Sequence, residues 1–253
     1  MKLALAQMLV LPDRLDENLR RAERLIRDAS RKGAEVVLLP ETMDLGWCAP
    51  ADRENSGPVK TGPSCRRLRS AAVKYRMHVC SGFTERGPDG VFNSAVLIDP
   101  KGRILLHHRK INELSIGRAF YGPGDRLGVA ETPWGRIGLM ICADANASGY
   151  AISRSLCMMG ARIILSPCAW AVPPGYDNVK EPYGKLWVDA YGAIGREFGT
   201  TVAGCSNVGP IGHGEWKGWD CIGNSIAVGP DGRELLRGPF GPVSESLLFL
   251  EIP

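Results

Sequence analysis

The sequence predicts an α/β protein, a four-layer αββα sandwich formed by one domain over residues 1–253. Apolar runs such as Val36-Val-Leu-Leu39, Ile137-Gly-Leu-Met-Ile141 and Ile163-Ile-Leu165 are nearly continuous, as in strands buried on both faces. A long amphipathic stripe lies between the first two strand-like segments. The joint Gly33-Ala-Glu-Val-Val-Leu-Leu-Pro40 is repeated as Gly160-Ala-Arg-Ile-Ile-Leu-Ser-Pro167, which divides the chain into two similar halves. Two sheets packed face to face, with helices outside, cover all of these apolar faces.

Each half reads in the same order. Residues 2–8 form a strand, 15–32 a helix and 35–39 a buried strand. Leu15, Leu19, Ala22, Leu25, Ile26 and Ala29 recur at spacings of three and four, which makes that helix one-faced. The second half gives a strand at 136–141, a helix near 149–160 and a strand at 162–166. Further strands are expected near 78–83, 93–98, 104–109, 200–206, 224–229 and 246–251, and no linker separates a second domain.

Composition narrows the function classes. The balance of 31 basic against 27 acidic side chains is too even to imply nucleic acid or a membrane surface. The densest basic run, His107-His-Arg-Lys110, alternates faces along a strand and reads as half buried. No segment approaches a membrane span, and the opening Met1-Lys-Leu-Ala-Leu-Ala6 is too short for a signal sequence. The eight cysteines are dispersed through apolar stretches without metal-ligand or redox-pair spacing, so no metal is expected and reduced thiols in a cytoplasm are.

Three chemically different groups stand at three strand ends: Glu41 after Glu35–Pro40, Lys110 after Ile104–Arg109, and Cys142 after Arg136–Ile141. Open α/β sheets assemble their sites at such ends. A thiol needs a base or a positive charge to become a nucleophile. None of the four histidines sits at a strand end with an Asn or Asp to orient it. A carboxylate base with an ammonium is the alternative, and Glu41 and Lys110 supply it. The repeat pairs Glu41 with Cys168, which places Cys168 near the site by pseudo-symmetry without a catalytic task. The other cysteines read as small hydrophobes.

The steps Leu39-Pro-Glu41, His108-Arg-Lys-Ile111 and Ile141-Cys-Ala-Asp144 resemble those of the carbon-nitrogen hydrolase (nitrilase) superfamily, in its amidase-like branch. So do Leu3-Ala-Leu-Ala-Gln-Met8, Asn18-Leu19, Tyr121-Gly-Pro-Gly124, Ser166-Pro-Cys-Ala-Trp170 and Gly204-Cys-Ser-Asn-Val208, so the likeness runs nearly end to end. One departure concerns the pocket. Many members follow Cys-x-Asp with an aromatic-Pro-Glu segment, where this chain has Ala145-Asn-Ala-Ser-Gly149.

The resemblance implies a nitrilase-type sandwich and an enzyme that hydrolyses a non-peptide carbon-nitrogen bond, amide or carbamoyl, in a small molecule. Glu41 would act as base, Cys142 as nucleophile through a thioester, and Lys110 with the Ala143 N–H as oxyanion stabilisers, with no cofactor. Family members carry a second glutamate. The only acid between Lys110 and the Gly124 turn is Glu113, which takes that role here; its alternative is a loop carboxylate paired with Arg109 or Arg118. Trp47, Tyr121, Trp170, Tyr183 and Trp187 are candidates for the substrate wall, while Asp177, Glu181 and Lys185 equally offer charge. Nitrile hydrolysis, acyl transfer to an amine, and a non-catalytic binding protein on the same scaffold are the competing readings. The resemblance further implies a homodimer or larger homo-oligomer.

Overall fold

The computed structural model describes residues 1–52 and 54–253. Its first half runs β1 (Lys2–Gln7), α1 (Leu15–Arg31), β2 (Val36–Leu38), α2 (Pro63–Tyr75), β3 (His78–Gly87), β4 (Gly90–Ile98) and β5 (Ile104–Arg109). The second runs β6 (Val129–Thr132), β7 (Gly135–Leu139), α3 (Ala151–Met158), β8 (Ile163–Cys168), β9 (Ala171–Val172), α4 (Lys185–Phe198), β10 (Thr201–Ser206), β11 (Val208–Pro210), β12 (Asp220–Ile222), β13 (Ile226–Val228) and β14 (Glu234–Arg237). The final strand, β15 (Ser246–Glu251), returns to the first sheet.

The two main sheets are six-stranded, ordered β15-β1-β2-β3-β4-β5 and β6-β7-β8-β10-β13-β14. In each, three central parallel strands are flanked by antiparallel ones, so the halves match strand for strand. A small third sheet, β11-β12-β9, lies outside this repeat.

The strand period sorts side chains between layers. Along β1 and β2, Ala4, Ala6 and Val37 pack toward α1 and α2. Leu3, Leu5, Val36 and Leu38 point the other way, into the core shared with Ile137, Leu139 and Leu165 of the second sheet. That shared core is the inner interface of the sandwich, and α3 and α4 cover the far side of the second sheet.

α1 buries the expected stripe of Leu19, Ala22, Leu25, Ile26 and Ala29. Its buried Asn18 donates to the carbonyls of Leu11 (2.7 Å) and Asp44 (2.9 Å) and accepts from the Leu11 N–H, tying the helix to the loop after β2. Two helices were not foreseen. α2 begins with Pro63 at its first turn and ends on Arg76 in the left-handed region, and its buried face is made of small residues, Cys65, Ala71 and Ala72, around Leu68. α4 contains Gly192 and Gly195, residues that weaken a helix. A β-carbon at Gly195 would stand 2.3 Å from the Gly229 carbonyl, so the helix packs directly on the β13–β14 turn.

Candidate active site

Glu41, Lys110 and Cys142 meet at the interface between the sheets. Each leaves a strand whose backbone is already fixed by its neighbours, and all three are buried. The Lys110 ammonium lies between two carboxylates, 2.7 Å from Glu41 Oε1 and 2.9 Å from Glu113 Oε1. The pairing of Glu113 with Arg109 or Arg118 is not what forms. Arg109 is engaged by Glu85 and lies over the Phe92 ring, and Arg118 donates to the Glu113 carbonyl rather than to its carboxylate.

Sequence reasoning missed Asn93. Its side-chain amide donates to Glu41 Oε1 (2.6 Å) and to Glu113 Oε2 (3.0 Å), so one group fixes the separation of the two carboxylates. The available signal was a polar residue on the face of β4 that also carries Ala95 and Leu97 into the inner core. The Asn93 side-chain oxygen Oδ1 has no partner among the described residues, while its backbone carbonyl accepts from the Lys110 N–H at 2.8 Å.

Two glycines make room for the acids. A β-carbon at Gly82 would lie 2.6 Å from Glu41 Cα and 2.8 Å from the Pro40 carbonyl. At Gly117, in the 3-10 helix Ser115–Ala119, it would lie 2.8 Å from Glu113 Oε1. The loop after Glu41 is held by buried Asp44, which accepts from the N–H groups of Leu45 (2.9 Å) and Thr84 (3.0 Å) and from the Ser64 hydroxyl (2.6 Å). Burial pushes the Asp44 carboxyl up to about 6, against these hydrogen bonds.

Cys142 follows β7 at φ 45°, in the left-handed region that a residue bearing a β-carbon seldom occupies. Its N–H donates to Ser166 Oγ (3.1 Å). Backbone strain of this kind is kept where surrounding contacts determine it and is concentrated at functional sites. The following segment forms 3-10 turns, with Ala143 and Ala145 buried and Asn146 and Ala147 half buried.

Electrostatics separates the roles. Burial acts to lower the Lys110 ammonium pKa, but Glu41 and Glu113 outweigh it and hold it well above the ordinary lysine value. Burial, with Glu41 nearby, raises Glu113 despite Lys110 and Asn93. The Cys142 thiol is pushed well up, first by burial, then by the adjoining Cys168 thiol and Glu41, with Lys110 pulling it down. A resting thiol in such surroundings is protonated and reacts only as a base removes its proton. Cys168 lies where the repeat put it: its carbonyl accepts from the Glu41 N–H (3.2 Å), and its own thiol donates to the Ser166 carbonyl (3.2 Å).

The five aromatic candidates divide into two groups. Trp170 stacks on Trp187 (centroids 4.9 Å apart, 23° between planes) and adjoins Tyr183, whose hydroxyl accepts from Trp187 Nε1 at 3.3 Å. Burial is the main cause that raises the Tyr183 phenol, and Cys142 adds to it. Trp187 belongs to α4 rather than to a loop. Trp47 and Tyr121 pack in a separate cluster with Cys48, Ile211 and Cys221, and the Tyr121 oxygen accepts from the Cys48 N–H (2.8 Å). Tyr121 also lines a surface cleft of about 560 Å³ with Glu113, Arg118 and Phe120. Among the described residues, no group of His, Cys, Asp and Glu has the arrangement of a metal site, and no helix is long and apolar enough to cross a membrane.

The carbon-nitrogen hydrolase family model matches residues 2–253. The chain belongs to that family. It is 30% identical over 198 residues to a nitrilase of Pyrococcus abyssi, covering 76% of this chain and 74% of the relative. It is 30% identical over 184 residues to the omega-amidase NIT2 of Xenopus tropicalis, covering 69% of this chain and 65% of the relative. Among solved structures, an amidase mutant from Nesterenkonia sp. AN1, in which acrylamide has added to the active-site cysteine, superposes with TM-score 0.83 at 25% identity, covering 100% of this chain and 93% of that one. This carbon-nitrogen hydrolase is therefore an enzyme with the nitrilase-type fold of those amidases.

Proposed function

We propose that this hydrolase cleaves an amide or carbamoyl carbon-nitrogen bond of a small molecule through Glu41, Lys110 and Cys142, with Glu113 in support. One observation carries the reading: a fully buried ammonium held by two carboxylates within 2.9 Å, beside a strained cysteine. Glu41 takes the thiol proton as Cys142 Sγ attacks the carbonyl carbon. The developing oxyanion is stabilised by the Lys110 ammonium and the Ala143 N–H. Glu41 returns the proton to the nitrogen, the C–N bond breaks, and ammonia or an amine leaves. Water, deprotonated by Glu41 and oriented by Glu113, then attacks the thioester; the C–S bond breaks, the acid leaves and the thiol is restored.

Glu113 suits the supporting role because its carboxylate reaches both Lys110 and Asn93 and fixes the ammonium, whereas Glu41 is the carboxylate that acts on the Cys142 thiol. The stacked Trp170 and Trp187 with Tyr183 form the wall beside the nucleophile, and they favour a substrate with an apolar or planar portion. All eight cysteines are free thiols, in keeping with a cytoplasmic enzyme. Apolar side chains left open on the outer helices, Met158 at 78% and Leu186 at 60% exposure, support self-association through α3 and α4.

The test is intact-protein mass spectrometry after rapid mixing with a panel of amides, carbamoyl compounds and nitriles, with ammonia release followed in parallel. An acyl adduct mapping to Cys142, absent in Cys142→Ala and both forming and hydrolysing more slowly in Glu41→Gln, is the expected result. Nitriles reacting in preference to amides, or acyl transfer to an added amine outrunning hydrolysis, would move the assignment to those reactions. An adduct on another cysteine would overturn it.

A further inference from the structure

We infer that Asp144 is a positioning residue for this chemistry, holding the Cys142 turn of one half and the Lys110 strand end of the other in a single frame. The inference rests on the catalytic reading above. Asp144 is fully buried, and its carboxylate makes four contacts in two directions. Toward the nucleophile, Oδ2 accepts from the Ile141 N–H at 2.9 Å, while the Asp144 N–H donates to the Ile141 carbonyl at 2.9 Å. These two bonds close the turn in which Cys142 takes its left-handed backbone. Toward the ammonium, Oδ1 accepts from the N–H groups of Ile111 (3.0 Å) and Asn112 (2.7 Å), the two residues directly after Lys110.

His108 completes the joint from β5. Its Nε2 lies 2.7 Å from Asp144 Oδ2 and its Nδ1 3.2 Å from the Arg126 carbonyl, so both ring nitrogens face acceptors. Asn112 adds a second tie between the halves, donating from Nδ2 to the Ala143 carbonyl at 2.7 Å. That bond orients the peptide that follows the nucleophile. Apart from these ties, the lysine and the cysteine stand on separate sheets, and a carboxylate saturated by donors from both sides sets their registry.

A positioning role and a merely structural one differ in what Asp144→Asn does below its melting temperature. The amide keeps the size but has a single acceptor oxygen, so its NH2 must face either Ile141 and His108 or the N–H groups of Ile111 and Asn112, and one side of the joint loses its acceptor. The measurement is the rate of Cys142 alkylation by chloroacetamide across pH, with Cys142→Ala as the background, together with kcat and KM on a cleaved amide. The expected result is kcat lower by about 10²-fold with KM within about threefold, and alkylation slowed with its pH profile moved upward. A structural residue would lower Tm and leave the alkylation profile in place, and that result overturns the inference. If Asp144→Asn does not fold, Asn112→Ala removes only the tie to Ala143, and kcat lower by about three- to tenfold is expected of it; alkylation and turnover at wild-type rates in this variant would equally overturn the inference. A wild-type protein not alkylated at Cys142 would instead overturn the catalytic reading on which it rests.

Discussion

Replacing Gly117 with alanine perturbs Glu113 without changing any group proposed to take part in the reaction. The new methyl would stand 2.8 Å from Glu113 Oε1, 2.9 Å from Cδ and 3.0 Å from Cγ, whereas ordinary contact begins at 3.4 Å. The carboxylate must therefore retreat by about half an ångström, which stretches its contacts with Lys110 (2.9 Å) and Asn93 (3.0 Å) to the limit of a hydrogen bond. Losing charge-assisted bonds of this kind costs about 1.5–3 kcal/mol, equivalent to about 10- to 100-fold in rate if felt in the transition state. Stability moves less. Crowding costs about 1–3 kcal/mol, offset by about 0.4–1 kcal/mol from stiffening the unfolded chain. The assay is ammonia release from a cleaved amide alongside a thermal melt, with Ser115→Ala on the exposed side of the same turn as control. Wild-type turnover by Gly117→Ala would refute the assignment of Glu113 to the chemistry.

Three further outcomes follow from geometry already described. Gly82→Ala meets backbone rather than a movable side chain, at Glu41 Cα and the Pro40 carbonyl, and is expected to lower stability by at least about 3 kcal/mol, read from chemical denaturation. Asp44 has its folded pKa raised to about 6 from an ordinary 3.8, so its contribution to stability is complete below pH 4 and is lost as pH rises through 6. Asp44→Asn should therefore gain on wild type by about 3 kcal/mol between pH 4 and 7, and parallel stability–pH curves would contradict this. Met158→Lys with Leu186→Lys should shift light-scattering mass toward the 27.4 kDa chain, whereas a wild-type protein already at that mass would remove the self-association reading.

The inner strands were legible because a two-sided sheet needs continuous apolar runs, and the repeated Gly-Ala…Pro joint disclosed that the two halves share a plan; the half-exposed edge strands β6 and β14 and the short strands β9, β11 and β12 carry no such run and were not read. α2 and α4 were not, for opposite reasons: small residues among arginines give α2 no strong stripe, and α4 carries two glycines to approach a turn that lies far away in sequence. Glu41, Lys110 and Cys142 could be picked out because strand ends are marked locally, and Glu113 because the family resemblance implies a second glutamate and it is the only acid between Lys110 and the Gly124 turn. Asn93 and Asp144 could not be assigned their tasks in the same way, since each acts by joining segments 20–52 and 32–36 residues apart, respectively. Only the folded chain brings the donors to the Asp144 carboxylate and the acceptor carboxylates to the Asn93 amide.

The matching of the two sheets has a consequence for how folding can be watched. Both carboxylates and the ammonium come from the first sheet, while the thiol comes from the second, so neither sheet formed alone contains a complete set. Secondary structure measured by circular dichroism would report the sheets as they form, and under the proposed mechanism an abrupt acceleration of Cys142 acylation would mark the moment they dock. A refolding experiment that follows both signals reads assembly of the sandwich through its own chemistry, with no added label.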